Sequence, residues 1–130
     1  MTDIPAFWER LDRPGHDAAR LAASCDGWRL SGTAVFLGRD GPCLLAYTVE
    51  ADAAWNVKWA TIAGFFGDAT VDHRIERDAS GWSLDGSTIA EGADLWTLDF
   101  GFTPATNILQ LRRSAPPVGG STDIPAYGST

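Results

Sequence analysis

The chain has 130 residues, enough for one domain, and 45% of them are apolar, enough for a core. A formal net charge of -7 argues against a nucleic-acid partner and against an electrostatic grip on anionic membranes. Six tryptophans are many for this length, and large amphipathic aromatics serve cores, sugar faces and lipid interfaces alike. Cys25 and Cys43 lack CxxC spacing and are expected to be reduced, buried thiols; a disulfide between them has no support. MTDIPAFWERLD shows no basic segment leading into an apolar one. No run approaches the ~18 apolar residues of a membrane span. The expectation is a soluble, cytoplasmic protein.

In chain order, FWERL at 7–11 is a candidate strand opening. In DRPGHDAARLAASCDG, Pro14-Gly15 breaks the chain, and the Ala-rich stretch after it suits either a short helical turn or a loosely wound strand. From Gly27 the period is two. Trp28, Leu30, Ala34 and Phe36 share one face, and Arg29, Ser31 and Thr33 share the other. Arg39-Asp40-Gly41-Pro42 is a turn signal. Cys43, Leu45, Tyr47 and Val49 then alternate with Ala46, Thr48 and Glu50. After a connection at Asp52–Trp55, NVKWATIAGFF puts Val57, Trp59, Ala63 and Phe65 on one side. Gly67-Asp68 makes the next turn, and ATVDHRIERD places Val71, His73 and Ile75 inward. GWSL is a short strand, and Asp85-Gly86 is a hairpin signal. In LWTLDFGF, Trp96, Leu98, Phe100 and Phe102 alternate with Thr97 and Asp99, and TNILQLRR is the last predicted strand.

Short strands joined by short turns predict an all-β antiparallel meander. No long amphipathic helix is available to cover a flat sheet, so the apolar faces must meet by curling into a half-barrel or β-roll. The single domain is expected to span 1–113. The segment 114–130, SAPPVGGSTDIPAYGST, lacks periodicity and is expected to be disordered.

Catalytic and metal signals are sparse. The histidines are His16 and His73, no GxSxG elbow surrounds a serine, and no Cys/His cluster has zinc spacing. His73, on an apolar strand face, reads as a satisfied core histidine, and His16, after the Pro-Gly turn, as a surface residue. Asp99 is either an ordinary solvated strand residue or a buried carboxylate paired with Arg112 or Arg74. In FTPATNILQLRR, Thr103-Pro104 ends a strand, and Thr106 and Asn107 tie the following turn to its own backbone. Arg112 and Arg113 point to opposite faces if the strand stays regular.

LDRPGHDAARL, GWRLSGTAVF, CLLAYTVEADAAW, VDHRIERD and FTPATNILQLRR together resemble a bacterial family named for putative glycolipid binding. The similarity runs from about Trp8 to Arg113, and the combination of RPGH, GTAVF, DAAW and FTPATN carries it. The resemblance implies an all-β roll similar to bacterial lipoprotein-carrier half-barrels. It also implies further strands beyond Arg112-Arg113, where this chain turns into its Pro/Gly/Ser-rich segment. That departure would leave TNILQLRR as an open edge strand, which invites a homodimer.

The expected function is non-catalytic binding of a glycolipid-like or other amphiphilic ligand in an aromatic-lined concave sheet, with no cofactor and no metal. Trp28, Tyr47, Trp59, Trp96, Phe100 and Phe102 are expected to line it. Thr106, Asn107 and Arg112 are expected to meet the head group, with Arg113 a weaker candidate. The alternatives are a protein-interaction module that uses the open sheet edge and, last, a small hydrolase using Asp99 or His16.

Overall fold

Alternating residues build ten strands and, among the described residues, no helix. The computed structural model describes residues 3–79, 81–91, 97–100, 102–103, 105 and 126–129, with backbone alone for 89–91, 97–100 and 126–129. Eight strands form one antiparallel meander in chain order: β1 (Ile4–Glu9), β2 (Gly15–Ser24), β3 (Gly27–Gly38), β4 (Gly41–Asp52), β5 (Val57–Phe66), β6 (Ala69–Asp78), β7 (Gly81–Leu84) and β8 (Ser87–Glu91). No pairing joins β1 to β8 among the described residues, so the sheet is an open roll rather than a closed barrel. A separate parallel pair joins β9 (Thr97–Phe100) to β10 (Ala126–Ser129), the latter inside the 114–130 segment. The 113/114 boundary and the predicted strand TNILQLRR lie outside the described residues.

The registers sort one face of the sheet into rows. Ile4, Leu21, Leu30, Val49, Ala60, Ile75 and Leu84 form one row across seven strands. Ala6, Ala19, Gly32, Tyr47, Ile62 and His73 form the next, and Trp8, Asp17, Ala34, Leu45, Gly64 and Val71 the one after. Most of these side chains are buried, and they are the core. The predicted faces of β3 and β4 are observed: Leu30, Ala34, Phe36, Cys43, Leu45, Tyr47 and Val49 are all buried.

Four expectations change. The Ala-rich stretch left open between helical turn and strand is β2, because Asp17, Ala19 and Leu21 alternate inward with a strand period. In β5, a bulge pairs Glu50 with Trp59 but Ala51 with Val57, which leaves Lys58 as an extra residue. One extra residue reverses every later side chain. Val57 therefore stays in the core, while Ala60 and Ile62 replace Trp59 and Ala63 there. Cys25 is exposed, and only Cys43 is buried; both are free thiols. His73 does point to the core face but lies where the core ends, half-exposed, with a charged partner described below.

Candidate functional site

The core face is not filled evenly. A cavity of about 310 Å³ opens over its β4–β7 end. Leu45, Ile62, Phe66, Val71, Ile75 and Leu84 supply its apolar wall, and Phe102 reaches it from the segment after β9. His73 is the one polar side chain among the described lining residues. The volume sits at the small end of the ~300–1,000 Å³ range of ligand pockets, which suits one acyl chain.

His73 is held from the β7–β8 hairpin. Asp85-Gly86 forms the predicted two-residue turn, with φ of +50° and +92°. The Asp85 carboxylate folds back on β6, with about half of the side chain still exposed. Its Oδ1 accepts the Arg74 backbone N–H at 2.7 Å, and its Oδ2 lies 2.8 Å from His73 Nδ1. The Arg74 amide first, and His73 second, hold the Asp85 carboxyl below the usual carboxylate range. An ionised carboxylate only accepts, so Nδ1 carries the proton.

Beside the cavity, a buried polar relay pins the Phe102 segment to the sheet. Tyr47 Oη donates to Asp17 Oδ1 at 2.6 Å and lies 3.3 Å from Thr103 Oγ1. With Tyr47's proton given to Asp17, the Thr103 hydroxyl donates to Tyr47. The Ala105 N–H in turn donates to Thr103 Oγ1 at 3.1 Å. Gly32 makes the reach possible: a Cβ there would stand 2.5 Å from Tyr47 Oη. Phe102 packs on Tyr47 at 5.9 Å between ring centroids, and Arg10 Nη1 donates to the Phe102 carbonyl at 3.4 Å. Ala105 and Thr103 are buried as a result.

Asp17 is 4% exposed, and its Oδ2 has no hydrogen-bond partner among the described residues. Burial pushes its carboxyl above the usual range, against the opposing influence of the nearby Thr103 and Tyr47 hydroxyls. Burial, then the bond to Asp17, likewise raises the Tyr47 hydroxyl. A folded-state pKa above the unfolded one means that the folded protein binds more protons, so this contribution falls as pH rises through the raised value. The difference in unfolding free energy between wild type and Asp17→Asn is therefore expected to shift against the wild type as pH rises above the ordinary carboxylate value of about 4. Denaturant titrations at several pH values measure it, and a pH-independent difference would contradict the assignment.

The predicted site residues divide. Tyr47 and Phe102 come together, Phe102 at the cavity and Tyr47 behind it in the relay. Trp28 lies on the same face at the other end of the sheet and stacks on Trp55 at 4.5 Å and 12°. Trp55 is held in a left-handed conformation (φ 69°) by the Asp52 loop, whose carboxylate accepts the Ala54 and Asn56 N–H groups. Trp59 is on the opposite face, with the Arg74 guanidinium 4.7 Å and that of Arg29 5.7 Å from its ring centroid. Phe100 is placed by its backbone in β9, as is Asp99; Trp96, Thr106, Asn107, Arg112 and Arg113 lie outside the described residues. His16 is exposed and stacks on Phe7 at 5.4 Å.

Sequence reasoning misses Asp17, Thr103 and Asp85 as site residues. The one local signal is the Asp-Gly hairpin dipeptide, which marks a turn but not where its carboxylate points. Among the described residues no cluster of three metal-ligating side chains occurs.

A family model described as putative glycolipid-binding matches residues 5–127. The crystal structure of a DUF1089 family protein from Pseudomonas aeruginosa is similar, with a TM-score of 0.63 and 23% sequence identity. The match covers 85% of this chain and 61% of that one, so this chain spans about three fifths of that protein's length. At this identity the likeness shows the fold. No curated protein matches the chain.

Proposed function

The chain belongs to the putative glycolipid-binding family, and from that premise we propose that it binds a single-chain amphiphile in the cavity on the core face. The observation that carries this reading is the cavity itself: about 310 Å³, walled by apolar side chains, with one polar group at its margin. Each methylene buried there contributes about 0.8 kcal/mol. Phe102 lines the chain site, and Tyr47 holds Phe102 in place. Trp96 and Phe100 are proposed as further lining, and Thr106, Asn107 and Arg112 as head-group contacts, on the sequence pattern. The role is non-catalytic and cytoplasmic in this reading. Pairing of a sheet edge with another chain is the second reading; the described edges are β1, where Pro5 lacks one N–H for a partner, and β8.

Native mass spectrometry of freshly purified protein, with organic extraction of the bound species, tests the proposal directly. A mutational test is Val71→Trp, which fills the cavity from a half-buried position. It is expected to weaken binding of a fluorescent acyl probe at least about 10-fold, because a filled cavity forfeits the buried methylenes. Undiminished binding in this variant would place the ligand elsewhere.

A further inference from the structure

The cavity's polar margin constrains the head group. The His73 ring lines an otherwise apolar wall, and its Nδ1 is committed to Asp85 Oδ2 at 2.8 Å. Asp85 is itself committed through Oδ1 to the Arg74 amide, so neither the carboxylate nor the ring turns freely. Because Nδ1 donates to Asp85, a neutral ring has Nε2 as a bare acceptor. Among the described residues no hydrogen bond reaches Nε2. About half of each side chain is exposed, 46% for His73 and 47% for Asp85, so a ligand can reach the pair.

We propose that His73 selects the head group, taking a single-chain amphiphile whose head donates a hydrogen bond: a hydroxyl rather than a carboxylate or phosphate. The proposal rests on the cavity being the ligand site. Two observations set its sign. An acceptor nitrogen matches a hydroxyl proton and has nothing to give an anionic oxygen. The ionised Asp85 beside it repels a second negative charge. Asp85 acts through His73 and is a positioning residue.

Three probes sharing one acyl chain separate the possibilities: monolaurin with free hydroxyls, methyl laurate with none, and laurate with a negative head. Calorimetric titration is run at about pH 8, above the ordinary imidazole range, and below micelle-forming concentrations. The wild type is expected to bind monolaurin about 10-fold more tightly than methyl laurate, the range of one good hydrogen bond. His73→Phe should erase that preference, so that monolaurin and methyl laurate bind alike. His73→Gln, whose side-chain carbonyl also accepts, should keep most of it.

Asp85→Asn is the sharper variant. Its Oδ1 still accepts the Arg74 amide, so its NH2 faces the ring and forces Nδ1 to accept. Nε2 then carries the proton and becomes a donor, and laurate should gain several-fold over wild type. If the wild type prefers laurate, or if His73→Phe leaves the monolaurin preference intact while all three probes bind, the His73 assignment is overturned and the cavity survives. If no probe binds the wild type, the cavity reading fails and takes this inference with it.

Discussion

Gly64→Ala is expected to destabilise the protein by about 4 kcal/mol, from a strained backbone and a steric overlap acting together. Gly64 has φ +145°, a region that residues with a Cβ rarely enter. A Cβ built on it would overlap the carbonyl oxygen of Leu44 on the neighbouring strand, and a backbone atom inside a sheet cannot step aside. The position also lies in the row between Leu45 and Val71, both of which line the cavity. Relief of the clash would have to shift β5 against β4 at that place. The expected result is a large loss in denaturant midpoint, with acyl-probe binding reduced in whatever protein remains folded. A loss under about 1 kcal/mol would mean that the backbone here relaxes easily.

Tyr47→Phe is expected to cost about 3 kcal/mol, more than the net value of a hydrogen bond, because it strands a buried carboxylate. Asp17 Oδ2 already lacks a partner among the described residues, and Tyr47 supplies the hydrogen bond to Oδ1. The same change removes the acceptor for the Thr103 hydroxyl and loosens the seat of Phe102. A double-mutant cycle separates these effects. Asp17→Leu removes the charge that Tyr47 serves, so Tyr47→Phe in that background should cost ~1–3 kcal/mol less. An equal cost in both backgrounds would show that the ring's packing, and not its hydroxyl, is what matters.

Two inner strands of the sheet, β3 and β4, are legible in the sequence because each is paired on both sides. Their apolar residues alternate from Leu30 to Phe36 and from Cys43 to Val49, and the turns at Arg39-Asp40, Gly67-Asp68 and Asp85-Gly86 announce themselves by composition. The face of β5 is not legible. Val57 and Trp59 are two apart and both apolar, and only the pairing with Glu50 and Ala51 reveals that Lys58 is extra. Trp59 is thereby placed between two arginines on the other face, not with Tyr47. The site is legible in its apolar part and hidden in its polar part. Asp17 looks like any charged residue in an Ala-rich stretch, yet the fold buries it. Its partners Tyr47 and Thr103 come from β4 and from beyond β9. His73 is correctly placed on the inward face, but its half-exposure and its carboxylate partner depend on where the core stops and on how a hairpin bends.

The relay that joins Asp17, Tyr47 and Thr103 also sets an order of events in folding. In the meander every strand pairs with its neighbour in sequence, so the sheet can assemble hairpin by hairpin with short loops to close. The bond between Tyr47 and Thr103 spans 56 residues and cannot form until that late segment arrives. This contact, like the one between Arg10 and Phe102, closes a far longer loop than any hairpin of the meander. The hairpins can therefore pair without the late segment, whereas the polar cluster is complete only once Phe102 and Thr103 have come to rest on Tyr47.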